Sequence, residues 1–464
     1  MRWLRGAVLL LIFLWGSAAA ETWYPSITDT MPQLSIITED GGAFITGPLR
    51  ETKLQGDIAY VDARISLTDE KGNADLVSVP AQVKARGNYT LEYPKKSVRI
   101  RFEQKQPMLT LHDGQAYKNW VLLAEWKDLS QLHTPVGLFL SHAILGTDGY
   151  YCSDGRNVEV WVNGEYWGVY LLAEQQEVKP GRTGLPEVPD GYTGTDVGYF
   201  FEYDAYFAEE RDLPGGDPTF EVFHEGLQGE QYGYTIKSDI NHDRQRRYLA
   251  AYVRRAWQIV REATRNGRSL AFNTAGNALV AAEHLSPEEA VSQVVDLQSL
   301  VDMYILHEII CNPDVGWSSF YISLDMTAEG KRQLVFDAPW DFDSCFGIRS
   351  GYEANTGFFV PGRGNPWFEA LIGEKWFQAR VRARWAALMD AQLPQQALAL
   401  IDELTCVQQA QYQRNYARWP ERITSGNHEL IEEVNGFRSQ QEAADYCREW
   451  LRERFEWLDS QWRP

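Results

Sequence analysis

Cysteine is scarce in this chain, five in 464 residues. Cys152, Cys311, Cys345, Cys406 and Cys447 show no close paired spacing, which argues against a zinc centre built on thiolates. An odd number cannot all pair, so at least one thiol stays free even in an oxidising compartment. The pairing expected is Cys406 with Cys447, since both fall in a helical C-terminal stretch. Positive charge is also short. Lys and Arg number 44 against 64 Asp and Glu, a net charge of -20, which argues against nucleic acid or an anionic membrane as the main partner. The same charge repels a nucleoside triphosphate at long range, so any phosphate site here needs local cations or a bound metal. Beyond the first twenty residues no apolar run approaches the roughly 18 residues that a membrane crossing needs, and no internal repeat is visible.

What the chain has in quantity is aromatic side chains, 13% of residues with 17 Trp. That points to a well-packed globular protein and away from disorder. Its length suits two or three domains, or one large domain with additions. At the N-terminus Arg2 and Arg5 precede the apolar run Ala7 to Trp15, and Ala18-Ala19-Ala20 follows as a small-residue cleavage site. This is the pattern of a cleavable signal peptide over residues 1–20. The expected mature chain starts near Glu21, has no transmembrane segment, and is secreted or held at the cell surface.

From Pro32 to about Phe102 apolar residues alternate in period two between turn signals. Leu34 to Thr38, Ala43 to Ile45, Tyr60 to Leu67, Leu76 to Val79 and Ser97 to Phe102 read as strands. A further strand is expected at Trp120 to Ala124, and a helix from Thr134-Pro135 to Leu145. A hairpin turning at Asn163-Gly164 should end at Glu174. Pro180 to Gly216 reads as a loop-rich insertion around the strand Gly198 to Tyr203. Strand Tyr232 to Ile236, helix Arg246 to Arg265 and a capping box at Ser286 follow. Beyond Asn365 the pattern is helical: Trp367 to Ile372, Phe377 to Met389, Pro394 to Arg418 and Ser439 to Trp462.

The chemistry concentrates between Leu300 and Gly347. An amphipathic helix capped by Asp296 carries Glu308 on its apolar stripe, where a carboxylate must be paired, hydrogen-bonded or functional. Then come Asn312 and Asp314 in a loop broken by Pro313. Strands Ser319 to Leu324 and Gln333 to Phe336 follow, joined through a Glu329-Gly330 turn, and Asp341-Phe342-Asp343 comes last. A loop acid after a helix, then acids after a hairpin, is the order in which kinases place their catalytic loop and metal-binding Asp. Earlier, Arg86-Gly87-Asn88 with Pro94-Lys95-Lys96-Ser97 could cradle a polyphosphate, glycine allowing close backbone approach and the cations neutralising oxygens. It could equally be a solvated basic turn. Asn88-Tyr89-Thr90 also matches a glycosylation acceptor.

With these residues in hand the chain resembles the spore coat protein CotH kinase family. ARGNYTLEYPKKSVRIRF, NWVLLAEWKDLSQL, VEVWVNGEYWGVYLLAEQQEV, HEIICNPDVGWSSFYIS and APWDFDSCFG occur in the family's order. The resemblance implies an α+β, atypical protein-kinase-like fold with a β-rich N-terminal region and a helical C-terminal region. Its expected divisions are residues 21–85, a kinase-like domain at 86–372 and a helical region at 373–464. It further implies a secreted kinase that moves phosphate from ATP, with Mg or Mn, to Ser or Thr of a surface or coat protein. Lys96 would contact the α and β phosphates, with Arg86, Gly87 and Asn88 beside them. Glu174 would orient Lys96 or contact the nucleotide. Asp314 would orient or deprotonate the acceptor hydroxyl, and Asp341 and Asp343 would hold metal. Two departures stand out: His133-Thr134 where the family usually has Arg-Asn, and Ser318-Ser319 where many members carry an Asn. A binding protein without turnover on the same scaffold, or an AMP transferase, would use the same residues.

Overall fold

The computed structural model describes residues 27–463 except 57, 214–215 and 225–232. The signal peptide expected at residues 1–20 lies outside the described residues. Seven strands close a barrel in the order β1-β2-β3-β4-β5-β7-β6. They are β1 (Gln33–Thr38), β2 (Val61–Thr68), β3 (Ala74–Arg86), β4 (Ser97–Gln106), β5 (Tyr117–Leu123), β6 (Gly155–Val162) and β7 (Glu165–Glu174). Neighbours are antiparallel except at the closure, where β1 lies parallel to β6. Period-two patterning puts Val83, Val98, Ile100, Trp120, Leu122, Val158, Tyr170 and Leu172 into one core inside the barrel. The alternate residues of β3 and β4, among them Lys84, Arg86, Ser97 and Arg99, then face outward into a cleft.

The expected strand at Ala43–Ile45 is instead a single 3₁₀ turn. The Asp40 carboxylate accepts from the backbone N–H of Gly42 at 2.9 Å and of Phe44 at 2.8 Å, so these donors need no strand partner.

A second sheet runs β14-β13-β8-β10-β9, built from β8 (Gly198–Asp204), β9 (Thr219–Glu221), β10 (Gly233–Ile236), β13 (Phe320–Asp325) and β14 (Val335–Phe336). A small ribbon, β11 (Leu270–Phe272) and β12 (Leu279–Ala281), stands apart. The helices used below are α1 (His133–Ile144), α2 (Asp243–Asn266), α3 (Leu297–Ile310), α4 (Lys375–Asp390), α5 (Leu393–Val407), α6 (Gln409–Arg418) and α7 (Gln440–Trp462). The stretch expected as one helix from Pro394 to Arg418 thus breaks at Gln408 into α5 and α6.

Helix α3 is buried on nearly all sides rather than amphipathic, which makes it the axis of the helical half. Its Asp296 cap accepts from the Ser299 N–H at 3.0 Å. Glu308 is fully buried against Arg454 of α7 at 2.7 Å and also accepts from the backbone N–H of Phe359 and Val360. The carboxylate on the apolar stripe is therefore a structural clamp between α3 and α7. Cys406 on α5 and Cys447 on α7 do not bridge, although these helices pack together. All five thiols are free, Cys406 exposed and the others buried.

Candidate active site

A cleft of about 880 Å³ lies between the barrel wall and the second sheet, closed at one end by the loops that follow α3 and β14. Arg86, Gly87 and Asn88 line it from the turn that leaves β3, and Asp314, Asp341 and Asp343 line it from the opposite loops. These residues, separated by more than two hundred positions in sequence, meet around one space.

The turn depends on glycine. Gly87 has φ +125, and a Cβ there would lie 2.0 Å from the Thr90 hydroxyl oxygen, so no other residue fits without moving the turn. Its carbonyl accepts from the Lys53 ammonium at 3.2 Å. Arg86 is half-buried in the cleft wall, and burial, with Arg99 nearby, moves its pKa downward.

On the other side, the Asp314 N–H donates to Asn312 Oδ1 at 2.9 Å, and the Asp314 carbonyl accepts from Trp317 and Ser318. The loop is thus a hydrogen-bonded turn that points the carboxylate into the cleft. Burial raises the pKa of Asp314, while the Arg349 guanidinium, 3.5 Å away, opposes the rise. Asp341 sits at φ +63, a region that Asp tolerates better than most residues. Its side chain is open to the cleft yet ringed by protein. That surrounding, then the neighbouring Asp343 and Asp314, pushes its pKa up. Between the two acids Phe342 is fully buried against Gly137 of α1, where a Cβ would come within 2.4 Å of the ring. The acids are therefore held by the packing of the residue between them.

Two expected residues fall elsewhere. Lys96 is buried outside the cleft and donates to the Tyr93 carbonyl at 2.9 Å within its own turn. Lys95, its neighbour, is the one that lines the cleft. Both precede β4, so strand alternation does not govern which way they point. The Lys95 ammonium donates to the Ala124 carbonyl at 2.9 Å and to the Val169 carbonyl, and lies over the Tyr170 ring. Burial brings its pKa down to about 7, against a small upward pull from Glu125. Glu174 does end β7, but it faces away from the cleft. It takes hydrogen bonds from the Asp154 N–H and Arg182 and meets His112 at 3.1 Å. Alternation gives the cleft side to the next residue, Gln175. His112, Asp154 and Glu174 lie close enough to hold a metal, but the Arg182 guanidinium already pairs with Glu174 and His142 lies 3.0 Å from Asp154.

Other cleft residues carry no expectation from sequence. Lys127, in the loop after β5, reaches Asp343 at 3.5 Å and donates to the Ser344 hydroxyl at 2.8 Å. Burial works against its charge, but Asp343 and Asp341 outweigh it and raise its pKa. Lys84 and Arg99 share the barrel wall with Arg86, and Glu202 pairs with Lys237 at 3.4 Å across the floor. The signal for Lys127 was its place in the motif NWVLLAEWKDLSQL; for Arg99 it was alternation along β4. The departures from the family pattern pack normally. Thr134 donates to Glu125 at 2.8 Å, His133 lies 3.5 Å from Asp128, and the Ser319 hydroxyl is 3.4 Å from Asp341.

Carboxylates that raise one another's proton affinity form a hard-oxygen donor set, which fits a divalent cation such as Mg or Mn. The cations on the facing wall fit phosphate oxygens. Among the described residues no helix is long and apolar enough to cross a membrane. No curated protein matches the chain. The family model described as CotH kinase protein matches residues 83–458, from β3 through most of α7. The chain belongs to the CotH kinase protein family.

Proposed function

We propose that the chain transfers the terminal phosphoryl group of ATP to a Ser or Thr hydroxyl of a protein, and does so outside the cytoplasm. The observation that carries this reading is the convergence of Asp314, Asp341 and Asp343 on the cleft wall that presents Arg86-Gly87-Asn88. Arg86 and the backbone of the Gly87 turn would take the phosphate oxygens, with Lys84 and Arg99 adding positive potential. Asp341 and Asp343 would hold the divalent ion, which neutralises charge on the phosphates when bound. Asp314 would accept a hydrogen bond from the acceptor hydroxyl. As the hydroxyl oxygen bonds to phosphorus and the bond to the nucleoside diphosphate breaks, the proton passes to the Asp314 carboxylate. A carboxylate whose proton affinity is raised by burial suits that role. Catalysis of this kind is positioning and charge neutralisation, with little covalent work by the protein.

Intact-mass measurement after incubation with ATP and Mg or Mn, alone and with casein as a generic acceptor, tests the reading. Gain of phosphate on either protein supports it. Gain of AMP would assign the site to nucleotidyl transfer, and no gain together with no nucleotide binding would leave a binding scaffold.

A further inference from the structure

Lys127 is an unusual neighbour for a metal-binding turn. It belongs to the barrel side of the cleft, yet its ammonium reaches across to Asp343 and Ser344. Its loop is rigid: the Arg422 guanidinium donates to the carbonyls of Trp126 and Lys127, and Asp128 accepts from the backbone N–H of Leu132 and His133 to start α1. The backbone that carries the lysine is thus clamped from both directions, and its ammonium is held at the acids by Ser344 and Asp343.

The contacts divide the acids unequally. One oxygen of Asp343 already faces the ammonium at 3.5 Å and the Ser344 hydroxyl at 3.1 Å. Asp341 has the neutral Ser319 hydroxyl at 3.4 Å and is otherwise turned to the cleft. A single divalent ion would therefore be held by Asp341 and by the other oxygen of Asp343. One placed beside the Asp343 oxygen that faces the ammonium meets a like charge at short range, and Ser318 and Ser319 bring only neutral oxygens to offset it.

We propose that Lys127 is the second cation of the phosphoryl-transfer site: its ammonium stands beside Asp343 where a second divalent ion would have to bind, so the cleft takes up a nucleoside triphosphate with one divalent ion. The inference rests on the reading of the cleft as an ATP site. It makes Lys127 a residue that neutralises charge on the bound nucleotide, and it separates this chain from sites that need two metals for the same purpose.

Counting Mn²⁺ per bound AMP-PNP on the full chain, by equilibrium dialysis and electron paramagnetic resonance, decides the matter. One ion per nucleotide is expected for the wild type. Lys127→Met should bind AMP-PNP about 10- to 100-fold more weakly at low Mn²⁺, as loss of a charge-assisted contact implies. It should then recover affinity as a second Mn²⁺ enters at high concentration, while Lys127→Arg keeps the wild-type count. Two ions on the wild type, or unchanged affinity and count in Lys127→Met, would overturn the proposal. If Lys127→Met does not fold, Lys127→Gln, which keeps a hydrogen-bonding group for Ser344, replaces it, and the wild-type count still decides. Failure of the wild type to bind AMP-PNP at any Mn²⁺ level would instead remove the ATP reading itself.

Discussion

Asp341 and Asp314 owe their positions to backbone rather than to packing of their own side chains, and this sets what their substitution should do. Asp341→Asn keeps a residue that tolerates φ +63 and removes the charge. Asp314→Ala keeps the Asn312 turn, which uses backbone atoms of residue 314. Each should lower phosphoryl transfer by about 100-fold or more while leaving the melting curve close to wild type; turnover near the wild-type rate in either variant would remove that acid from the mechanism. Lys95 makes a different prediction. Its folded-state pKa of about 7 lies below the 10.5 of a free lysine, so between those values the unfolded chain binds the extra proton. Its contribution to stability therefore grows as pH rises through that window, by a few kcal/mol at most. Urea denaturation at pH 7 and pH 9.5 should show a rise in the wild type that Lys95→Met flattens, and equal slopes would refute the assignment. The acids could be picked out from sequence because each follows a recognisable helix or hairpin. Lys96 and Glu174 could not be placed correctly, since a one-residue difference in direction is decided by a turn before β4 and by the face β7 turns to the cleft.

The elements behave in the same way: those with strong local signals are where the periodicity puts them, and those set by tertiary contacts are not. The hairpin at Asn163-Gly164, the Ser286 capping box and the long helices at the C-terminus needed only local chemistry. The turn at Ala43–Ile45 is set by the nearby Asp40 carboxylate, which periodicity does not reveal; the break at Gln408 and the complete burial of α3 depend on partners far away in the chain. So does the contact between α1 and the acid loop. Gly137→Ala would stabilise an isolated helix by about 1 kcal/mol. Here the new Cβ would press on the Phe342 ring at 2.4 Å, and such overpacking costs about 1–3 kcal/mol. The second effect should win: the variant should be less stable, and it should bind nucleotide and metal more weakly because Phe342 carries Asp341 and Asp343 with it. A Gly137→Ala protein that is more stable and binds unchanged would show that α1 does not position the acids.

At the scale of the whole molecule the question is how a chain of net charge -20 holds a triphosphate. The cleft answers it by segregation, with Lys84, Arg86 and Arg99 on the barrel wall and Asp314, Asp341 and Asp343 opposite. A phosphate drawn to the wall still approaches the acids. At about 5 Å and an effective dielectric near 20, each such pair costs roughly 3 kcal/mol. The wall cations and Lys127, which stands beside Asp343, offset part of this, and an added divalent ion has to supply the rest. Nucleotide affinity should therefore fall by at least about 100-fold in chelator relative to excess Mg or Mn, measured by calorimetry at fixed ionic strength. Protons compete for the same oxygens. Because the Asp341 pKa is raised, metal-dependent binding should weaken as pH is lowered, beginning well above the usual carboxylate range, whereas any binding through the wall cations alone should hold. Equal affinity in chelator and in metal, at neutral and at mildly acid pH, would mean that the acids face the nucleotide without taking an ion, and the division of labour between the two walls would have to be abandoned.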